Sequence, residues 1–190
     1  MKVINLISGP GSGKSTTASG LFYQLKSRHL NVELVSEYAK ILAWEKNHKL
    51  ITDQLYITAK QNRGLERLRD QVEFAITDSP LPLALYYGRD YHLQTFDAMV
   101  TELFDSYDNI NYFIRRKKSY NPAGRFQTEM EAIAADSAIK ALFKKKGWEF
   151  TEVDGDEQVV ETILHDLNLR GLVKKQLSVK TSVSISCGVG

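Results

Sequence analysis

The sequence predicts an α/β fold: a five-stranded parallel sheet sandwiched by helices, carrying a phosphate-binding loop and a basic lid. Three observations predict it. The apolar run Val3 to Ser8 leads straight into Ser8-Gly9-Pro10-Gly11-Ser12-Gly13-Lys14-Ser15-Thr16, after which Ala18, Leu21, Phe22 and Leu25 recur at helical spacing. Four more short apolar runs follow, separated by segments of helical periodicity, an alternation that builds a parallel sheet with helices on its faces. Thr128 and Glu131 form a capping-box pair at the head of a helical segment that runs to about Lys146, and Gly147 stops it.

The first loop matches G-x-x-x-x-G-K-[ST] at every fixed position except the first, where Ser8 stands in place of Gly. Its glycines let the backbone curl with the N–H groups inward, a nest for an anion, and the following helix adds its positive end. Gly9, Gly11, Ser12, Gly13, Lys14, Ser15 and Thr16 are therefore the candidate nucleotide-binding residues. Lys14 is expected to reach the β- and γ-phosphates of ATP, and the Ser15 hydroxyl to ligate Mg²⁺. The alternative is a glycine-rich turn with no ligand; the Gly-Lys-Ser ending between a strand and a helix favours the phosphate loop.

The bulk numbers narrow the class. A chain of 190 residues suggests one domain, and 43% hydrophobic with 25% charged residues is the balance of an ordinary globular protein rather than a disordered one. A net charge of +2 supplies no global drive toward nucleic acid or membrane. The single cysteine, Cys187, allows no disulfide framework within one chain, and His29, His48, His92 and His165 show no metal-ligand spacing. The first apolar run is too short for a signal-peptide core or a membrane span, so a cytoplasmic protein is expected.

Taken in order, Val32 to Val35 reads as the second strand and ends at Glu37, which would project into the crevice that holds the phosphate loop. A helix over Ala39 to about Asn47 follows, then one capped by Thr52 and running to about Asp70, with Arg63 and Arg67 on a common face. Those two arginines either meet an anionic ligand or form a solvated face with Glu66 and Asp70. Phe74 to Asp78 is an apolar strand ending in an acid, the form of a Walker B strand, although Asp78 before Ser-Pro could also start a turn. Helices are expected over Leu83–Tyr87 and Phe96–Tyr107, and Tyr87 and Arg89 are candidate substrate contacts in the connection between them.

Tyr112 to Ile114 forms the fourth strand. The dense basic run after it, containing Arg115, Arg116 and Arg125, suits a lid at about 115–127 that brings guanidinium groups to a transferring phosphoryl group; a solvated patch for an anionic polymer is the alternative. Trp148 to Val153 is the fifth strand, and Val159, Ile163 and Leu167 line a last helix ending near Gly171. The expected domain is 1–171. Residues 172–190 are left as an edge strand, an oligomerisation arm or a disordered tail.

Gly-Pro-Gly-Ser-Gly-Lys-Ser-Thr at 9–16, Ser-Glu-Tyr-Ala-Lys at 36–40, Thr-Asp-Ser-Pro at 77–80 and the basic segment at 115–125 resemble the small P-loop kinases of nucleosides and nucleotides. In particular they resemble the ribosylnicotinamide-kinase-like group, several members of which are phage-encoded. That group usually has Glu-Tyr-Ala-Arg where this chain has Lys40, and a Lys lacks the bidentate fork of an Arg. The resemblance implies that Glu37 lies beside the acceptor hydroxyl and that Asp78 serves Mg²⁺, with the two roles exchangeable. It implies a phosphotransferase in which Lys14, Glu37, Asp78, Arg115 and Arg125 act on the transferring group, Arg116 contacts ATP, and Tyr38, Lys40, Arg63, Tyr87 and Arg89 are candidate substrate contacts. The expected acceptor is a small nucleoside or nucleotide. The rivals are a kinase of polynucleotide 5′-hydroxyls or modified DNA bases, and a regulatory ATP-binding module that transfers nothing. A GTPase lacks support because no Asn-Lys-x-Asp motif is present, and an AAA-type machine normally brings more chain. The oligomeric state is open, a homodimer included.

Overall fold

Alternation along the first strand sets up both faces of the sheet. In β1 (Lys2–Ile7), Ile4 and Leu6 point to one side and Val3 and Ile7 to the other, and all four are buried. The structure, a computed structural model, describes residues 1–117, 120 and 128–173. β1 lies in the middle of a five-stranded sheet ordered β2-β3-β1-β4-β5, with β2 at Val32–Val35, β3 at Phe74–Thr77, β4 at Asp108–Arg115 and β5 at Thr151–Asp154. Every pairing is parallel, so all five carboxyl ends lie along one edge.

Helices cover both faces. On the Ile4 and Leu6 side lie α1 (Lys14–Ser27), through Ala18, Leu21 and Leu25, and α8 (Val159–Leu169), through Ile163, Leu164 and Leu167. On the Val3 and Ile7 side lie Leu65 of α4 (Gln54–Glu66), Phe104 of α6 (Phe96–Asp105) and Ala135, Ile139 and Phe143 of α7 (Glu129–Lys146). Each fully buried Leu, Ile or Phe contributes about 1.5–3 kcal/mol relative to exposure. The short helices α2 (Tyr38–Trp44), α3 (His48–Ile51) and α5 (Leu83–Tyr87) line the carboxyl edge instead.

The chain leaves β1, visits β2 and β3 on one side, then crosses to β4 and β5 on the other. Neighbouring connections therefore diverge at the carboxyl end of β1, which opens a crevice where ligands sit in parallel α/β sheets.

Several local expectations change. β4 begins at Asp108, four residues before the apolar run suggested, because Asn109 and Asn111 pair with buried Asn5: the Asn5 amide donates to their carbonyl oxygens at 2.8 and 3.0 Å. Apolar patterning alone does not see such an amide ladder. Asp53, not Thr52, caps α4, its carboxylate accepting the Tyr56 N–H at 3.0 Å. α4 stops at Glu66, short of Asp70, which sits at φ 61° in the turn that follows. β5 starts at Thr151, and Trp148 packs instead on Phe104 and Phe143. The capping box is present as expected, the Thr128 hydroxyl oxygen accepting the Glu131 N–H and the Glu131 carboxylate accepting the Thr128 N–H. Val173 is buried against the first core, so packing continues past the expected boundary at 171. Residues 174–190 of the expected tail, and 118–119 and 121–127 of the expected lid, including Arg125, lie outside the described residues. Among the described residues no helix is long and apolar enough to cross a membrane.

Candidate active site

The phosphate loop turns between β1 and α1. Gly11 and Gly13 take φ values of 78° and 99°, a left-handed geometry that a side chain resists. Gly13 caps α1, so the first N–H groups of that helix open into the loop. Lys14 folds back across it, its Nζ donating to the carbonyl oxygens of Ser8 at 2.9 Å and Gly9 at 2.7 Å. Burial pushes the Lys14 ammonium below its usual range, and the carboxylates of Glu37, Asp78 and Asp136 oppose that shift. A part-buried cation held by two backbone carbonyls beside the loop N–H groups, with three carboxylates near it, makes a site that suits a polyphosphate carrying a divalent cation.

β3 lies next to β1, which places Asp78 beside the loop, and β2 lies next to β3 with Val35 opposite Thr77. Asp78 is 4% exposed, and its Oδ1 accepts the Glu37 backbone N–H at 2.9 Å, tying the two acidic positions together. Glu37 stands at the N-cap of α2. Gln61 of α4, also buried, accepts the Tyr38 N–H at 3.0 Å and donates to the Thr77 hydroxyl at 3.1 Å, fixing the start of α2 against the end of β3.

One crevice of about 620 Å³ joins these groups. It is lined by Lys14, Ser15 and Thr16 of the loop and α1, by Glu37, Lys40 and Asp78 at the carboxyl edge, and by Ile57, Leu81, Ala84 and Tyr87 from α4, α5 and the turn before α5. It is large enough for a drug-sized organic ligand. No cluster of three or more His, Cys, Asp or Glu able to hold a metal occurs among the described residues. The donor set at the crevice, one hydroxyl at Ser15 and one carboxylate at Asp78, suits Mg²⁺, which keeps several waters and takes phosphate oxygens rather than an all-protein cage.

A family model described as an AAA domain matches residues 3–159. The chain belongs to that family. The matched span runs from β1 through β5. Comparison with curated proteins returns no match. Among solved structures, deoxyadenosine kinase from M. mycoides with bound dATP superposes with a TM-score of 0.57 at 19% identity, over 88% of this chain and 100% of that one. The same enzyme with products dCMP and a flexible dCDP gives 0.55 at 17% identity, over 89% and 100%. At that identity the likeness shows a shared fold, a parallel sheet sandwiched by helices.

Several expected residues do not converge on the crevice. Arg115 pairs with Asp154 at 2.8 Å, and Lys117 approaches the same oxygen at 3.4 Å. Arg63 faces a separate shallow hollow between α4 and α6, beside Glu66 and Met99. Arg69, not Arg63 or Arg67, forks onto Glu66, at 2.9–3.0 Å. Arg89 is exposed and pairs with Asp90 at 3.6 Å. Tyr38 shares a hydroxyl hydrogen bond of 2.8 Å with Tyr56, which pushes its phenol up to about 12, and Lys60 lies over both rings. Arg116 reaches the loop, its Nη2 donating to the Pro10 carbonyl at 2.8 Å. Sequence reasoning missed Gln61 and Asp136. A lone acid or amide on a helix reads as solvated, and only its register against the sheet reveals otherwise.

Proposed function

We propose that the chain transfers the γ-phosphoryl group of ATP to a hydroxyl of a nucleoside-type acceptor. The observation that carries this is the shared crevice: one cavity is lined by Lys14 and Ser15, by the carboxylates of Glu37 and Asp78, and by the apolar side chains of Ile57, Leu81 and Ala84, groups suited to a phosphate donor and an organic acceptor together. The fold shared with a deoxyadenosine kinase supports the reading, as does that enzyme's binding of dATP and deoxycytidine nucleotides. The resemblance to ribosylnicotinamide kinases adds nicotinamide riboside to the acceptors worth testing.

In this mechanism the N–H groups of the phosphate loop hold the donor's phosphates, and Lys14 exchanges its two carbonyl partners for phosphate oxygens. Ser15 and Asp78 would hold Mg²⁺, which supplies charge neutralisation at the phosphates when bound. Asp78 suits that task because one of its oxygens is fixed by the Glu37 N–H while the other is left for the cation. Glu37, on a longer side chain at the mouth of α2, orients the acceptor hydroxyl and takes its proton. Ile57, Leu81 and Ala84 seat the acceptor ring and exclude water. Most of the rate enhancement then comes from alignment and fixed charge, as phosphoryl transfer requires.

The test is ADP release with Mg²⁺ and ATP against a panel of ribonucleosides, deoxynucleosides, nicotinamide riboside, nucleoside monophosphates and single-stranded DNA bearing a 5′-hydroxyl. One small acceptor should stimulate the rate, and Lys14→Ala should abolish the stimulation. Stimulation only by DNA, steeply salt-dependent, would transfer the reading to a polynucleotide kinase. Slow turnover that no acceptor changes would replace it with a regulatory ATPase.

A further inference from the structure

Asp136 sits in the middle of α7, far in sequence from the phosphate loop, and yet all its acceptor capacity is spent there. Its Oδ1 accepts the Ser8 hydroxyl at 2.8 Å and the Gly9 N–H at 2.6 Å. Its Oδ2 accepts Nε and Nη2 of Arg116 at 3.3 and 3.2 Å. Four donors fill the lone-pair sites of a carboxylate. Both side chains of the pair are largely buried, 17% exposed for Asp136 and 11% for Arg116.

The arrangement leaves one hand of the guanidinium unused. Nε and Nη2 are committed to Asp136, and Nη2 also to the Pro10 carbonyl, while Nη1 is buried and has no hydrogen-bond partner among the described residues. Nη1 lies beside Gly11, a residue that lines the crevice: a Cβ placed on Gly11 would fall 2.8 Å from the Tyr120 ring and 3.2 Å from Nη1. The Ser12 hydroxyl, in the same turn, is likewise buried without a partner. An orphaned guanidinium donor beside the phosphate loop is a group that a ligand's oxygen would satisfy.

We infer that Asp136 is a positioning residue for nucleotide binding: it clamps the first half of the phosphate loop to α7 and aims Nη1 of Arg116 at a phosphate oxygen of the donor. The inference rests on the proposed binding of ATP in the loop, but on no acceptor and no transfer step. It also accounts for the one departure from the loop pattern, since Ser8 supplies a hydroxyl to Asp136 that a glycine could not. A guanidinium held along its Nε–Nη2 edge by a carboxylate and a backbone carbonyl keeps its fork rigid, so little freedom is lost when Nη1 meets an anion.

The experiment is a double-mutant cycle on MgATP affinity, read by calorimetric titration of the whole chain for the parent, Asp136→Ala, Arg116→Ala and the double variant, with melting curves for each. Asp136→Ala and Arg116→Ala should each weaken binding about tenfold or more, and the double variant should be no more than about threefold weaker than the weaker single, because one acts through the other. Asp136→Asn, whose amide oxygen can still accept from Ser8 and Gly9 but which carries no charge for Arg116, should still melt cooperatively, at a lowered midpoint, and lose most of the affinity at a temperature where it is fully folded. Independent, multiplying effects would overturn the inference, as would Asp136→Asn binding MgATP like the parent. A parent that fails to bind MgATP at all would instead remove the nucleotide reading on which the inference stands, and the titration of the parent alone separates the two failures.

Discussion

Replacing Gly9 by Ala measures how tightly α7 is pressed against the phosphate loop. Gly9 lies outside the left-handed region, so the backbone itself accepts an alanine. The obstacle is space. The new Cβ would stand 2.6 Å from the Ala132 carbonyl oxygen, 2.8 Å from Asp136 Oδ1 and 3.1 Å from the Ala135 Cβ. Carbon and carbonyl oxygen rest at about 3.3–3.6 Å, so the helix or the loop must yield by about 0.7–1 Å. A retreat of that size takes the 2.6 Å bond between Gly9 N–H and Asp136 to about 3.3 Å or beyond, past the usual range, and weakens the Ser8 bond with it. Overpacking costs about 1–3 kcal/mol and a lost hydrogen bond to a charged group about 1.5–3 kcal/mol. Because the strain is relieved only by giving up the bonds, these costs compete rather than add, and the expected loss is about 1–3 kcal/mol. For a chain of this size that lowers the melting midpoint by about 2–12 °C. Urea unfolding and a thermal scan of parent and variant read it directly. Gly13→Ala is the contrast, since its Cβ would meet nothing within 4 Å and the cost there is the left-handed φ alone, about 1–2 kcal/mol. A Gly9→Ala protein within about 0.5 kcal/mol of the parent would refute the close approach of α7.

Two further outcomes are expected. Lys14 is held below its usual range by burial, so between its lowered value and 10.5 the unfolded chain binds the proton better than the folded one, and the contribution of Lys14 to stability must rise with pH across that window. The stability difference between parent and Lys14→Met, from urea unfolding at steps from about pH 7 to about pH 10, should therefore move in the parent's favour as pH rises; a flat or falling difference contradicts it. Thr128→Ala removes the hydroxyl that closes the capping box of α7 and should cost about 1 kcal/mol, seen as a drop of about 2–4 °C in the melting midpoint. No change would mean that the box does not hold the helix end.

Local, short-range signals were legible before the structure. The glycine-rich loop announces its own geometry because Gly11 and Gly13 need positive φ, and Lys14, Ser15, Glu37, Lys40, Asp78 and Tyr87 do meet in one crevice because parallel strands bring their carboxyl ends to one edge. The polar interior was not legible. Asn5, Asn109 and Asn111 satisfy one another across two strands, and no apolar period reports that. Asp136 and Gln61 sit on helices where a single polar residue is usually solvated. Their partners lie 127 and 16 residues away along the chain, so only the register of helix on sheet exposes them. Nor could charge counting tell that Arg115 and Lys117 stand within ion-pair distance of Asp154, and Arg116 within that of Asp136.

The most direct test of the central claim follows the terminal phosphoryl of γ-labelled ATP in the presence of Mg²⁺ and the acceptor that best stimulates ADP release. The crevice described here predicts that the label appears on the acceptor as a nucleoside monophosphate, that Lys14→Ala and Asp78→Ala abolish its appearance, and that Glu37→Gln slows it while leaving MgATP binding intact. Label recovered only as inorganic phosphate, whatever acceptor is present, would contradict the account.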